Sequence, residues 1–282
     1  MKPAKGFSIS AHGASIPAVG YGTMLFPEPE RAASLVAHSI ECGYRHIDTA
    51  RKYGSEKWVG EGIRASGIAR EDLWVTTKVT EENARADDFA QSVDTSLKTL
   101  NLDYIDLLLI HWPQPGVPLA ETLGALAKAK RDGLARNIGV SNFTIALLEQ
   151  AVSLCPEPLI TNQIEYHAYI EQDKLIAECR KHGLLVTCHV PLARGKLLND
   201  PVLAEIARGY SKSVAQVALR WLVQQSGIGV VPRALEPYEI EENIDVFDFS
   251  LTEDEMNRIR ALRVRNIRVV DPEVRRPVWD VD

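Results

Sequence analysis

Four side chains of this 282-residue chain have types suited to moving a proton to and from a carbonyl oxygen: Asp48, Tyr53, Lys78 and His111. A phenol of pKa near ~10 is a weak acid at neutral pH, and a neighbouring ammonium lowers that value by favouring the anion. A buried ammonium is costly unless an anion pairs with it, a part open to Asp48. Tyr53 then becomes a usable general acid or base, and the imidazole of His111 can hold and orient a carbonyl oxygen. None of the four can supply a hydride, so a reduction needs a nicotinamide cofactor. Each also has a plainer reading. Asp48 reads as the N-cap of a following helix, Lys78 as a solvated rim charge, His111 as a satisfied packing residue and Tyr53 as half-buried filler.

Position favours the chemical reading. Asp48 follows the run Tyr44–Ile47, Lys78 closes LWVTTK, His111 closes YIDLLLIH, and Tyr53 lies in the polar turn after Asp48. Eight apolar, β-rich runs occur along the chain: Ala18–Tyr21, Tyr44–Ile47, Leu73–Thr77, Tyr104–Ile110, Ala135–Val140, Leu159–Ile164, Leu184–Cys188 and Gly229–Val231. Between them, segments such as Arg31–Glu41, Asp87–Leu100, Leu119–Lys130, Asn142–Ser153 and Val214–Val223 carry apolar residues at helical spacing. Leu119, Leu123, Leu126 and Ala127 outline one such face. Eight runs alternating with helices predict an α/β chain folded as a (β/α)8 TIM barrel, in which strand carboxyl ends converge on one mouth. Phe7–Ser10 and Ser15–Pro17 predict an N-terminal β-hairpin that plugs the opposite end. Residues 1–282 read as a single domain.

The formal charge is −6, and no long basic run is present, which argues against nucleic acid as a partner. The densest basic region, Arg263–Arg276, reads as a solvated terminal segment. Cys42, Cys155, Cys179 and Cys188 are widely spaced and form no CxxC, so neither a disulfide framework nor a metal site is read from them. The opening MKPAKGFSIS lacks the apolar core of a signal peptide, and no apolar stretch approaches ~18 residues. A cytoplasmic monomer without a membrane partner is expected.

The strings GYRHIDTARKYGSE, TTKV, LDYIDLLLIHWP, IGVSNF and NQIEYH, in this order and spacing, resemble the aldo-keto reductase family over nearly the whole chain. The resemblance implies a (β/α)8 barrel, NAD(P)H-dependent reduction of an aldehyde, ketone or keto-sugar, and Asp48, Tyr53, Lys78 and His111 as the catalytic tetrad. It also implies Gly22, Thr23 and Met24, with Asp48, beside the nicotinamide ribose, and Ser141, Asn142 and Gln163 on the carboxamide. Asn142 alone reads equally as a helix cap. His189, in CHVPLARG, takes the place of a stacking tyrosine, followed by Pro191 and Leu192; a protonated imidazole there would make cofactor affinity depend on pH. Arg233, Ala234, Leu235, Glu242 and Asn243 fall at the adenine end. There Arg233 replaces a lysine, Ala234 a serine, and Glu239 an arginine that would grip the 2′-phosphate. NADPH is favoured and NADH is admitted, because Glu239 would repel a phosphate unless it points to solvent. Met24, Tyr53, Thr80, His111, Trp112 and Trp279 are expected around the substrate, with the C-terminal tail carrying Trp279 over the mouth. No Rossmann fingerprint and no nucleophile elbow occurs. Two other readings are a cofactor-binding regulatory subunit with little turnover and a barrel hydrolase pairing Asp48 with Glu165.

Overall fold

A computed structural model describes residues 6–24, 26 and 28–280. The first two strands, β1 (Ser8–Ala11) and β2 (Ala14–Pro17), form an antiparallel hairpin. His12 and Gly13 at its tip both have positive φ, 48° and 83°, which matches the right-handed twist of the flanking strands. Alternation turns Ile9, Ala11, Ala14 and Ile16 to one face. That face packs on Leu107, Leu109, Ile160 and Leu185 at the base of the main sheet, so the hairpin is the expected plug.

The main sheet has eight parallel strands in sequential order: β3 (Tyr21–Gly22), β4 (His46–Asp48), β5 (Trp74–Val79), β6 (Ile105–Ile110), β7 (Ala135–Ser141), β8 (Leu159–Glu165), β9 (Leu185–His189) and β10 (Ile228–Val230). Its two ends meet. Val19 bridges to Val230 and Gly22 to Arg233, both parallel. Gly20 N donates to Val230 O at 2.8 Å, Val230 N to Ala18 O at 2.8 Å, and Gly22 N to Pro232 O at 3.0 Å. The run predicted over Ala18–Tyr21 therefore serves as the closing seam and yields only a two-residue strand. A Cβ on Gly22 would lie 2.6 Å from the Val231 carbonyl, so the seam itself requires glycine there.

Outside the strands lie α1 (Pro29–Cys42), α2 (Glu56–Ser66), α3 (Ala86–Leu100), α4 (Leu119–Arg131), α5 (Ile145–Leu154), α6 (Asp173–Lys181), α7 (Pro201–Tyr210), α8 (Val214–Val223), α9 (Pro237–Ile244) and α10 (Glu253–Arg260). Their inner faces meet the outer faces of the strands in one continuous core, where Leu123, Leu126 and Ala127 of α4 are buried as predicted. Helix α5 starts three residues later than the pattern suggested, because Asn142 has φ 62° and Thr144 is the N-cap. No helix among the described residues is long and apolar enough to cross a membrane.

The basic segment after α10 is not solvated at random, contrary to expectation. Arg263 pairs with Glu171 at 2.6 Å, Arg265 with Asp200 at 2.8 Å and Arg275 with Glu81 at 3.0 Å. Ile267 N donates to Tyr169 O at 2.7 Å. The buried Glu165 carboxylate, at the end of β8, accepts Val269 N at 2.6 Å and Val270 N at 2.8 Å. Further on, the Asp280 carboxylate accepts Ile145 N at 3.0 Å at the start of α5. The tail is thus strapped along the carboxyl ends of the strands; its last residues, Val281 and Asp282, lie outside the described ones, as do residues 1–5.

Candidate active site

Period-two alternation builds the site in layers. His46 and Asp48 on β4 and Thr76 and Lys78 on β5 turn toward the barrel interior. In the lower layer His46 Nε2 lies 3.0 Å from Thr76 Oγ1. In the upper layer Lys78 Nζ donates to Asp48 Oδ1 at 2.6 Å and to the Thr49 carbonyl at 2.8 Å. The second Asp48 oxygen accepts Gln163 Nε2 at 2.8 Å. The Lys78 side chain has no exposure, so the rim-charge reading fails, and Asp48 is no helix cap. Tyr53 ends a 3-10 turn, Arg51–Tyr53, closed by Gly54 at φ 68°. Its ring centroid is 5.2 Å from Lys78 Nζ and 5.8 Å from the His111 ring, which meets it edge-on. His111 N extends the ladder one step past β6 by donating to Val79 O at 2.9 Å. The four predicted side chains therefore share one mouth.

Burial sets the protonation states. It pushes the Tyr53 phenol above its ordinary value, and the Lys78 ammonium pulls back only part of the rise. The expectation of a net lowering by Lys78 is thus reversed by desolvation, and Tyr53 holds its proton at neutral pH. Burial works against the charge on Lys78, yet Asp48 and Tyr53 outweigh it and its pKa rises. His111 is pushed well below the imidazole range, by burial first and by Lys78 next. It is neutral, and its buried Nδ1 has no hydrogen-bond partner among the described residues.

The predicted carboxamide residues form one network. Ser141 Oγ donates to Gln163 O at 2.8 Å, and Asn142 Nδ2 donates to His111 O at 2.9 Å. Asn142 Oδ1 lies 2.9 Å from His189 Nε2. That link was not legible in the sequence, since the residues come from β9 and the loop after β7. Asn142 is not a cap: its side chain tethers two strand ends. Burial pulls His189 down to about 4, so it is neutral near pH 7 and the expected pH-dependent cofactor affinity does not arise from it. Beyond His189 the chain enters a strained turn, with φ 44° at the β-branched Val190 and 49° at Ala193. Pro191, buried, and Leu192, half-buried, lie within it.

Gly22 and Thr23 sit against Asp48, whose carbonyl accepts Thr23 N and Thr23 Oγ1, both at 3.0 Å. Half-buried Met24 is reached by exposed Arg233, whose Nη1 lies 3.4 Å from the Met24 carbonyl. Ala234 is buried and its carbonyl accepts the Tyr21 hydroxyl at 2.8 Å; Leu235 is half-buried. Glu239 behaves as neither sequence alternative supposed. Its carboxylate curls back to accept Leu235 N at 2.9 Å and Glu236 N at 3.2 Å, capping α9. Glu242 is half-buried and Asn243 buried on the same helix.

At the mouth, Trp112 and Trp279 meet edge-on at 6.1 Å, so the tail does bring its indole over the strand ends. Trp279 Nε1 donates to Asp271 at 2.8 Å and its ring lies 3.8 Å from the Arg268 guanidinium. Thr80 is buried and holds Asn83 Nδ2 at 3.1 Å. Sequence reasoning missed Arg275, which stands between Glu81 and the Trp112 face, and the Glu165–His167 pair at 3.0 Å that anchors the tail. Glu165 faces the tail rather than Asp48, which removes the hydrolase reading.

Comparison with known proteins agrees with this architecture. Methylglyoxal reductase DkgB of Escherichia coli O157:H7 is 40% identical over 269 residues, 94% of this chain and 100% of its own. Glyoxal reductase of Bacillus subtilis is 39% identical over 251 residues, 89% of this chain and 90% of its own. The crystal structure of a Bombyx mori aldo-keto reductase in complex with NADP superposes with a TM-score of 0.89 at 35% identity, covering 96% of each chain. The profile of the Aldo/keto reductase family matches residues 18–264, from the closing seam to the turn after α10. A match spanning the whole barrel, with relatives that reduce carbonyls, makes this chain a member of the aldo/keto reductase family and an NAD(P)H-dependent oxidoreductase.

Proposed function

We propose that this chain reduces a small aldehyde or ketone to the alcohol with NADPH, and that Tyr53 donates the proton. The carrying observation is the Lys78 ammonium, fully buried between Asp48 and the Thr49 carbonyl and 5.2 Å from the Tyr53 ring. A buried cation fixed at that place stabilises negative charge as it develops on the phenol oxygen. Neutral His111 supports the same reading. With Nδ1 facing no acceptor, its proton is better placed on Nε2, which can donate to a carbonyl oxygen. The full tetrad disfavours a low-turnover binding subunit, which has no use for a phenol beside a buried cation.

The donor set fits a nicotinamide. A hydroxyl, Ser141, and two amides, Asn142 and Gln163, stand at adjacent strand ends, where they can satisfy a carboxamide's donors and acceptors. When bound, the nicotinamide supplies the hydride. Gly22, Thr23 and Met24 would flank its ribose, His189, Pro191 and Leu192 its ring side, and Arg233, Ala234, Leu235, Glu242 and Asn243 the adenine end. NADPH is preferred over NADH because Arg233 is exposed and suited to a phosphate, while Glu239 is drawn into the α9 cap. The NADP-bound relative points the same way. Two indoles closing the mouth favour a small dicarbonyl, the class named by the methylglyoxal and glyoxal reductases, over a keto-sugar.

The test follows NADPH absorbance with methylglyoxal as substrate. Tyr53→Phe is expected to lower turnover by roughly 10²–10⁴-fold while NADPH binding, read by fluorescence quenching, stays nearly unchanged. Turnover close to wild type in that variant overturns the assignment.

A further inference from the structure

Away from the barrel mouth, α1 and α9 run side by side; Arg31 of α1 pairs with Glu236, the N-cap of α9, at 2.9 Å, and Tyr44, just past the end of α1, donates its OH to Ile240 O of α9 at 3.1 Å. At the C-terminal end of α1, three side chains of metal-ligating type converge. His38 Nε2 lies 3.4 Å from Cys42 Sγ and 3.3 Å from Glu241 Oε1 of α9. One ligand atom from each lies within 4.8 Å of the others. We propose that His38, Cys42 and Glu241 form a binding site for a borderline-soft divalent ion of the zinc class.

Distance, chemistry and charge each argue for it. Tetrahedral zinc with bonds of ~2.0–2.3 Å separates neighbouring N, S and O ligands by roughly 3.3–3.5 Å, so the two spacings already match. Thiolate, imidazole and carboxylate are the ligand types that zinc selects, and three protein ligands leave a fourth position for water. His38 and Cys42 are four residues apart on one helix face, which holds both side chains toward the same point. The other imidazole nitrogen, Nδ1, faces the Glu41 carboxylate at 4.0 Å. At that distance the carboxylate makes no hydrogen bond to the ring and acts on it only as a nearby negative charge. Neither Glu41 nor Glu241 pairs with a lysine or arginine among the described residues, so the pocket carries negative charge that a dication would offset. Cys42 is buried and His38 half-buried, while Glu241 is exposed, which leaves an entry path. On binding, the Cys42 thiol loses its proton to solvent and its sulfur lone pair forms the bond to the metal; no redox change occurs. The ion would clamp α1 to α9 next to Glu242 and Asn243. The sequence did not disclose the site, because Glu241 lies far along the chain from the His38–Cys42 pair.

The experiment titrates cobalt(II) into the full-length, reduced protein and reads the thiolate-to-cobalt charge-transfer absorption. One equivalent is expected to give the band, and zinc(II) to bleach it. Cys42→Ser should abolish the band, and Glu241→Gln, an exposed change that leaves the fold intact, should weaken binding while keeping it. Glu41→Gln retains all three ligands and is expected to keep the band, with binding weakened less than in Glu241→Gln. Zinc should also raise the thermal midpoint of the wild type and not that of His38→Ala. Absence of the band, or a band that persists in Cys42→Ser and vanishes in Cys155→Ser, overturns the proposal. So does an unchanged affinity in Glu241→Gln.

Discussion

Lys78 is a charge that the protein can keep only in company. Its side chain is sealed from solvent and its anionic partner is Asp48 at 2.6 Å. Removing one member of a buried pair strands the other, at a cost of about 3–5 kcal/mol. Asp48→Asn is therefore expected to lower unfolding free energy by about that amount in urea titrations, whereas Lys78→Met with Asp48→Asn should recover much of the loss without recovering turnover. A second prediction concerns proton inventory. Burial raises the phenol of Tyr53 and depresses His111 well below the imidazole range. The proposed donor is then protonated and the imidazole neutral throughout the physiological range. The rate of carbonyl reduction is expected to stay level from about pH 7 to about pH 9 and to fall only as pH approaches the raised phenol pKa. A bell centred near neutrality in kcat/KM would contradict it.

At the level of elements, Glu165 holds the middle of the strap formed by residues 263–280. Burial disfavours its charge, but the hydrogen bond from His167 and the Val269 N–H outweigh that, and its pKa is lowered. A carboxylate accepting two backbone N–H groups holds them more strongly than an amide does. Glu165→Gln should therefore speed amide hydrogen exchange at Val269 and Val270 and raise KM for the carbonyl substrate more than it changes kcat. Retained protection at both amides would show that the strap is held elsewhere. The strands were readable because buried parallel strands are near-continuous apolar runs; every residue of IDLLLI in β6 is buried. Asp48, Lys78 and His111 were readable because barrel strands end in the same mouth. The strap was not: Glu165, Tyr169 and Asp200 find Val269, Ile267 and Arg265 with no periodicity to announce the pairing. Glu239 was misread for a related reason, since a Glu–Glu reciprocal cap lacks the usual Ser or Thr at its first position.

For the molecule as a whole, buried neutral histidines contribute to the loss of stability in acid. His46 is buried and pulled down to about 4 by desolvation; His189 behaves alike. The unfolded chain takes up these protons near pH 6.5 and the native state only near 4, so the unfolded state binds more protons between those values. Stability is expected to fall as pH drops through that window, on the order of 3 kcal/mol for His46 alone. Thermal midpoints between pH 7 and 4 would measure it, and His46→Gln should flatten the dependence.

The way the barrel closes carries a consequence for its biogenesis. The strip Ala18–Gly22 finds its partners in residues 230–233, so the first-made edge of the main sheet waits for β10, its last-made strand. During translation the nascent sheet offers bare N–H and C=O rows along a growing margin, a template for unwanted pairing with other chains. Ribosome-bound intermediates truncated before Ile228 should be sticky, and release of the final segments should abolish that adhesion in a single zipping event.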